Sequence, residues 1–221
     1  MGRLVVIDGL DGSGKQTQTA LLSWRLEQQG ISVKKITFPT YTRSSALIDL
    51  YLGGELGALD EVNVYAASTF YAVDRYASFC QDWGRDYREG ALVLTDRYVT
   101  ANIIHQMGKL PKDRWEDYLS WLSDLEYTRF ALPRPDLVLY LELPIETASA
   151  LIAQRYQGDE AKKDLHERNL AYLRTCYETA AFAARRLGWR MVHCGDGAGG
   201  IRAPDDISAQ LEEIVKQTLP L

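Results

Sequence analysis

The chain opens with Leu4-Val5-Val6-Ile7, an apolar run that passes through Asp8 into Gly9-Leu10-Asp11-Gly12-Ser13-Gly14-Lys15, and a helical pattern follows. The small residues of this segment allow the backbone to fold tightly, so that several N–H groups point at one polyphosphate. Lys15 adds a positive charge at the start of the helix, where the helix dipole also favours anions. The order of strand, loop, lysine and helix therefore predicts a phosphate-binding loop, with a plain structural turn as the alternative.

The composition is that of an ordinary globular protein. Of the 221 residues, 46% are hydrophobic and 25% are charged, and this length is enough to bury a core within one domain, residues 1–221. The formal net charge of −5 offers no broad basic surface, so we do not expect nucleic acid as a partner. No apolar run approaches the roughly 20 residues of a membrane span, and we expect no membrane association and a cytoplasmic location.

The three cysteines are Cys80, Cys176 and Cys194, and they are far apart in the sequence. Neither a paired spacing nor a metal-ligand spacing is present among them. We therefore expect reduced thiols that fill the core, as is usual in cytosolic proteins, rather than disulfides.

Short apolar segments alternate with long helical patterns along the rest of the chain. We expect strands at residues 1–8, 31–38, 91–95, 137–143 and 190–194. This alternation predicts an α/β fold with a five-stranded parallel sheet that is flanked by helices on both faces. The predicted helices cover residues 18–29, 45–52, 60–88, 100–107, 112–125, 145–154, 165–187 and 205–219.

A charged segment at residues 155–165 contains a glycine and lies between two predicted helices. Such a segment is typical of a mobile lid that excludes water during phosphoryl transfer. It is equally typical of an exposed connection between helices, and composition does not separate the two interpretations.

Asp96, Arg97 and Tyr98 directly follow the third predicted strand. Because the carboxyl ends of parallel strands meet at one edge, we expect these residues beside the phosphate-binding loop. Asp96 is then a candidate ligand of Mg²⁺, directly or through water, and Arg97 is a candidate to neutralise charge on two approaching phosphates. A structural Asp–Arg ion pair is the alternative.

Two helical patterns carry residues suited to a nucleobase. Tyr71 and Arg75 are four residues apart and share a helix face, where a ring can stack on a base and a guanidinium can donate to a base carbonyl. Asn102 and Gln106 have the same spacing, with His105 alongside, and are candidates for the same base or its sugar. A core tyrosine and a surface arginine form the alternative, which spacing alone favours.

The second predicted strand ends at Phe38-Pro39, where the proline fixes the exit of the chain. Arg43 follows within the same loop. It is a candidate contact for an acceptor phosphate.

Together these motifs resemble the thymidylate kinase family, in an order and spacing that cover essentially the whole chain. The resemblance rests on residues 8–15, 38–39, 71–75, 96–98 with Gln106, and 133–141. It implies the P-loop NTPase fold and the ATP- and Mg²⁺-dependent transfer of the γ-phosphoryl group to dTMP, which makes dTDP. It also implies a homodimer, and ATP and dTMP as the small-molecule partners.

The resemblance also implies roles for single residues. Asp11 would accept a hydrogen bond from the sugar 3′-hydroxyl, and His105 would lie close to the deoxyribose. The implied catalytic residues are Lys15, Asp96, Arg97 and Arg155. The implied residues for ATP are Gly9, Asp11, Gly12, Ser13, Gly14, Lys15, Gln16 and Thr17, with Asp96 and Gln16 for the metal. The implied residues for dTMP are Asp11, Phe38, Arg43, Tyr71, Arg75, Arg97, Asn102, His105 and Gln106.

The chain departs from the family pattern in the loop. Gln16 stands where a serine or threonine ligates Mg²⁺, although Thr17 follows and an amide oxygen can ligate the ion. Gly12 stands where one subgroup has a catalytic arginine, and the other subgroup supplies an arginine from the lid. Here the lid offers Arg155, Lys162 and Lys163, with Arg168 just beyond it. Either Arg155 serves, or the enzyme uses point charges.

Residues 40–47 lack the family's common glycine, and Tyr71 and His105 alter the pocket. Two alternatives therefore stay open. One is a kinase for another deoxynucleotide or for a deoxynucleoside. The other is a nucleotide-binding protein without catalysis, for which Gln16 is the best argument.

Overall fold

The computed structural model describes residues 1–58, 61–155 and 170–220, without the side chains of residues 152–155 and 170. Within this part of the chain, five strands form one parallel sheet in the order β2-β3-β1-β4-β5. The strands are β1 (Arg3–Gly9), β2 (Val33–Thr37), β3 (Leu92–Asp96), β4 (Leu137–Glu142) and β5 (Arg190–His193). This sheet confirms the predicted α/β class.

Helices cover both faces of the sheet. The α-helices are α1 (Lys15–Glu27), α2 (Ala46–Leu52), α3 (Val64–Ser78), α4 (Gly84–Arg88), α5 (Val99–His105), α6 (Trp115–Ser123), α7 (Ile145–Arg155), α8 (Leu170–Leu187) and α9 (Pro204–Thr218). Short 3₁₀ segments lie at Arg43–Ser45, Met107–Lys109 and Lys112–Arg114.

The two faces of the sheet belong to two separate apolar clusters, because successive residues of β1 point to opposite sides. Leu4 and Val6 pack in the cluster that includes α5, α6 and α8. Val5 and Ile7 pack in the cluster that includes α1 and α9. All four side chains are buried, as expected for a parallel strand in the middle of a covered sheet.

The strand register brings three loops to one edge of the sheet. Asp96 pairs with Ile7 of β1 on one side and with Thr37 of β2 on the other. The exits of β1, β2 and β3 therefore lie next to one another, at the carboxyl edge where ligands bind in open α/β sheets.

The prediction of one regular helix over residues 60–88 is wrong. A π-helical turn, Phe79–Trp83, separates α3 from α4. A Cβ atom on Gly84 would lie 2.2 Å from the Phe79 carbonyl oxygen, so the backbone after this turn requires glycine. A second π-helical turn, Asp124–Arg129, follows α6 and extends the segment predicted at residues 112–125.

The cysteines are free, and Cys176 and Cys194 are buried as expected. The core prediction is wrong for Cys80, which is exposed. No helix of the described chain is long and apolar enough to cross a membrane. Almost all of the predicted lid, including lysines 162 and 163, lies outside the described residues.

Candidate active site

The loop after β1 takes a backbone path that needs small residues. Gly12 and Gly14 have φ angles of 82° and 83°, in the left-handed region that favours glycine. A Cβ atom on Gly9 would lie 2.7 Å from the Leu141 carbonyl oxygen, because the loop begins tightly against β4. Helix α1 then starts at Lys15, three residues earlier than predicted, so its N-terminus lies directly at the loop.

A cavity of about 520 Å³ extends from this loop along the exits of β2 and β3 to α3 and α5. Most of the residues predicted for ATP and dTMP line it. They are Asp11, Gly12, Gly14, Lys15, Gln16, Thr17, Phe38, Tyr71, Arg75, Asp96, Arg97, Asn102, His105 and Gln106.

Four predicted site residues are not in this lining. Gly9 and Ser13 are buried inside the loop, and Arg43 is exposed on the surface. Arg155 is the last residue of α7, and its side chain lies outside the described part of the chain. The cavity is also lined by Tyr41, which was not predicted for the site.

Lys15 is folded back on its own loop. Its Nζ donates to the carbonyl oxygens of Gly9 and Leu10 at 2.9 and 3.0 Å, and lies 3.4 Å from Asp11 Oδ1. Burial lowers the pKa of Lys15, and the nearby positive charge of Arg97 lowers it further, against the attraction of Asp11. These hydrogen bonds hold the ammonium group beside the loop, in a position from which it can turn to a phosphate.

Arg97 lies at the centre of the charged groups. Its φ of 66° is in the left-handed region, which is costly for a residue with a side chain. The guanidinium forms an ion pair with Asp11. Although burial acts in the opposite direction, the charges of Arg97 and Lys15 hold the pKa of Asp11 well below its ordinary range.

Asp96 fits the role of a metal ligand. Burial raises its pKa, and its Oδ1 is a buried oxygen with no hydrogen-bond partner among the described residues. Gln16 and Thr17 line the same cavity and are exposed. The described chain holds no cluster of three or more metal-ligating side chains. One carboxylate with an amide and a hydroxyl nearby suits Mg²⁺, which commonly takes one or two carboxylates together with water and substrate phosphates.

Asp8 supports the loop from behind. It is fully buried and accepts hydrogen bonds from Thr100 Oγ1 at 2.5 Å and from the Gly9 backbone N–H at 2.8 Å. Burial raises the pKa of this carboxyl. The bond from Thr100 joins the start of α5 to the phosphate-binding loop.

The far end of the cavity holds aromatic and amide groups. The Tyr71 ring meets the Tyr51 ring edge to face at 6.3 Å. Gln106 Oε1 accepts from the Tyr51 hydroxyl at 3.3 Å. His105 Nε2 lies 3.2 Å from Arg97 Nη1, and its ring stacks on that of Tyr172.

Arg75 is buried, and not at the surface as spacing alone had favoured. It forms two hydrogen bonds of 2.6 Å to Glu126, which lies 51 residues further along the chain. The neighbouring Asp74 accepts from the Thr40 backbone N–H and from the hydroxyls of Thr40 and Ser44, and so attaches the loop after β2 to α3.

Comparison with known proteins identifies the family. Residues 7–193 match the family model described as thymidylate kinase. The chain belongs to the thymidylate kinase family. It is 32% identical to thymidylate kinase from Mycobacterium tuberculosis over 198 residues, which is 87% of this chain and 91% of that protein. It is 35% identical to a probable thymidylate kinase from Thermococcus gammatolerans over 159 residues, 70% of this chain and 72% of the other.

A solved thymidylate kinase structure, from Candida albicans, has the same fold, with a TM-score of 0.72 and 24% identity. The alignment covers 98% of this chain and 92% of that one. The resemblance in the motifs is thus confirmed, and the chain is a phosphotransferase. As a thymidylate kinase it carries Gln16 and Gly12 in its loop, and both line the cavity.

Sequence patterns missed Glu126, which accepts both hydrogen bonds from Arg75. It follows α6 inside a π-helical turn, where the regular helical spacing that would place it is interrupted. Tyr172 was missed as well, because it meets His105 from α8, which is far away in the sequence.

Proposed function

We propose that the chain transfers the γ-phosphoryl group of ATP to dTMP, giving ADP and dTDP. One observation carries this proposal: a single cavity contains the phosphate-binding loop at one end and Tyr71, Arg75 and Asn102 at the other. Arg97 lies between the two ends and is held by Asp11. A cavity of this arrangement suits two nucleotides whose phosphates meet at Arg97.

The reaction joins a phosphate oxygen of dTMP to the γ-phosphorus of ATP and breaks the bond to the β–γ bridging oxygen. The loop N–H groups would hold the phosphates of ATP. Lys15 would leave the carbonyl oxygens of Gly9 and Leu10 and turn to the donor phosphates. Arg97 would neutralise charge that builds up on the transferring group, which is the main requirement of phosphoryl transfer.

We include Mg²⁺ in this proposal, held by Asp96 and by Gln16 through its amide oxygen. When bound, the ion neutralises charge on the phosphate oxygens. The residues of the chain then have the task of orientation: Asp11 would position both Arg97 and the sugar 3′-hydroxyl, and Tyr71 would stack on the base. Because Arg43 is exposed, we propose it only as a surface contact for the acceptor phosphate.

The test is an assay of ADP release from ATP with dTMP, dUMP, dCMP, dGMP and thymidine as acceptors. We expect the highest kcat/KM with dTMP. An absence of turnover with every acceptor would contradict an enzymatic role. A preference for thymidine would contradict a monophosphate acceptor.

We further propose that a lid, residues 155–165, closes over the phosphates with Arg155 as its catalytic arginine. Gly12 has no side chain, so this position of the loop supplies no arginine, and an arginine clamps phosphate oxygens better than a lysine does. Comparison of Arg155→Ala with Lys163→Ala at saturating substrates tests this, since we expect only the arginine change to lower kcat strongly. Equal turnover in both variants and the wild type would rule out a charge supplied by the lid.

We also propose a homodimer formed through α2 and α3. Leu47 on α2 and Val73 and Tyr76 on α3 are large apolar side chains that are exposed on neighbouring helices. Apolar side chains grouped in this way are typical of an interaction surface. A cytoplasmic location is proposed from the composition alone, and cell fractionation tests it.

A further inference from the structure

Glu126 is a fully buried carboxylate that contacts Arg75, a residue lining the far end of the cavity. Its Oε2 accepts from Arg75 Nε and its Oε1 from Arg75 Nη2, each at 2.6 Å. Two parallel bonds of this kind fix the plane of a guanidinium as well as its position. The carboxylate lies in the π-helical turn Asp124–Arg129, and such turns are frequent at functional sites.

The bonds to Glu126 determine which atoms Arg75 offers to a ligand. An arginine has five N–H donors and no acceptor. Two are used by Glu126 and one by the Tyr98 carbonyl oxygen at 3.3 Å. Two N–H groups of Arg75 are then left without a hydrogen-bond partner among the described residues. Arg75 lines the cavity. Arg75 therefore presents donors in a fixed direction.

The same carboxylate sets the orientation of the Asn102 amide. Asn102 Nδ2 donates to the Ser68 carbonyl oxygen at 3.0 Å and to Glu126 Oε1 at 3.4 Å. Both partners are acceptors only, so the nitrogen of the amide must face them. The atom that Asn102 has left for a ligand in the cavity is the acceptor Oδ1.

We propose that Glu126 is the positioning residue that makes the site select pyrimidines with a 4-carbonyl group and an N3–H. Arg75 offers donors to the carbonyl, and Asn102 offers an acceptor to the N3–H. A 4-amino pyrimidine has the opposite pattern, with a donor at position 4 and an acceptor at N3. Both of its groups would face like groups in a buried site, which is strongly unfavourable.

This inference rests on the proposed function. The competing interpretation is that the Arg75–Glu126 pair only stabilises the fold. A buried ion pair that loses one partner is destabilising whatever its role, so unfolding data do not separate the two interpretations. Base selectivity separates the two interpretations, because a purely structural pair has no effect on the ratio of the kcat/KM values of two substrates.

The experiment measures kcat and KM for dTMP, dUMP and dCMP with the wild type, Glu126→Gln and Tyr118→Phe. The wild type must first phosphorylate dTMP; if it does not, the proposed function fails. In Glu126→Gln the introduced amide brings a donor towards Asn102, so that the Asn102 amide can turn. We expect the ratio of kcat/KM for dTMP over dCMP to fall by about tenfold or more, mainly through KM.

Tyr118→Phe is the matched control. The Tyr118 hydroxyl is buried in the same network and bonds to Ser68 Oγ and to the Asn102 backbone oxygen, but not to the amide. We expect its dTMP over dCMP ratio to match that of the wild type. An unchanged ratio in Glu126→Gln, or the same loss in Tyr118→Phe, would overturn the proposal.

If Glu126→Gln does not fold, Glu126→Asp replaces it. The shorter carboxylate keeps its charge near Arg75 but withdraws from Asn102, and we expect the ratio to fall by about threefold or more. An unchanged ratio in this folded variant would also overturn the proposal.

Discussion

Arg97 lies between the phosphate-binding loop and the far end of the cavity, with contacts to Asp11 and His105. The residue follows β3 with a φ of 66°, pairs with Asp11, and brings Nη1 within 3.2 Å of His105 Nε2. A left-handed conformation costs free energy in a residue with a side chain, and the surrounding structure compensates for it. The fold therefore holds the Arg97 guanidinium beside the phosphate-binding loop, where the proposed function needs a positive charge.

Arg97→Ala should lower kcat by roughly a hundredfold or more, because it removes a positive charge opposite the transferring group. Steady-state kinetics at saturating ATP and dTMP measure the effect, and thermal unfolding verifies that the variant is folded. Arg85→Ala is the control, since Arg85 on α4 is exposed and pairs with Glu89, which directly follows that helix. A kcat within about threefold of the wild type would limit Arg97 to a structural ion pair.

The strands and the phosphate-binding loop were predictable because their sequence patterns are local. Glycines at fixed spacing between an apolar run and a helix are compatible with few structures other than a phosphate-binding loop. The two π-helical turns were not predictable, since a single inserted residue changes the helical register without a marked change in composition. The contact between Arg75 and Glu126 joins different helical segments, and no spacing within one segment could indicate it.

Thr100→Val tests how α5 supports the phosphate-binding loop. The substitution removes the hydroxyl that donates to Asp8 Oδ2 and leaves that buried carboxylate with one partner fewer. We expect unfolding to become easier by about 1–3 kcal/mol, measured by chemical denaturation. Thr175→Val is the matched control, because the Thr175 hydroxyl bonds to the Ala171 carbonyl oxygen of its own helix. Equal stability of both variants would show that this bond contributes nothing to the fold.

The order of the strands in the sheet determines where the candidate site lies. With β1 between β3 and β4, and β2 beyond β3, the exits of β1, β2 and β3 meet at one edge. The order could be expected only from the family resemblance, because local patterns predict strands and not their neighbours. The lateral faces of α2 and α3 stay at the surface, with Val73 and Tyr76 exposed.

Val73→Glu should shift the proposed homodimer to monomers, because a charge would be buried without a partner in the interface. Size-exclusion chromatography with light scattering measures the mass. Trp24→Glu is the control, since Trp24 is also exposed and apolar but lies on α1, which packs against the opposite face of the sheet from α3. A wild type that is monomeric at micromolar concentration, or a dimer that Val73→Glu leaves intact, would contradict this interface.

The most direct test follows the transferred group itself. The protein is incubated with ATP labelled on its γ-phosphate, dTMP and Mg²⁺, and the nucleotides are separated. If the cavity holds donor and acceptor together, the label appears in dTDP, in an amount equal to the ADP formed. Label that is released as inorganic phosphate, or that stays in ATP, would contradict phosphoryl transfer between two nucleotides in this site.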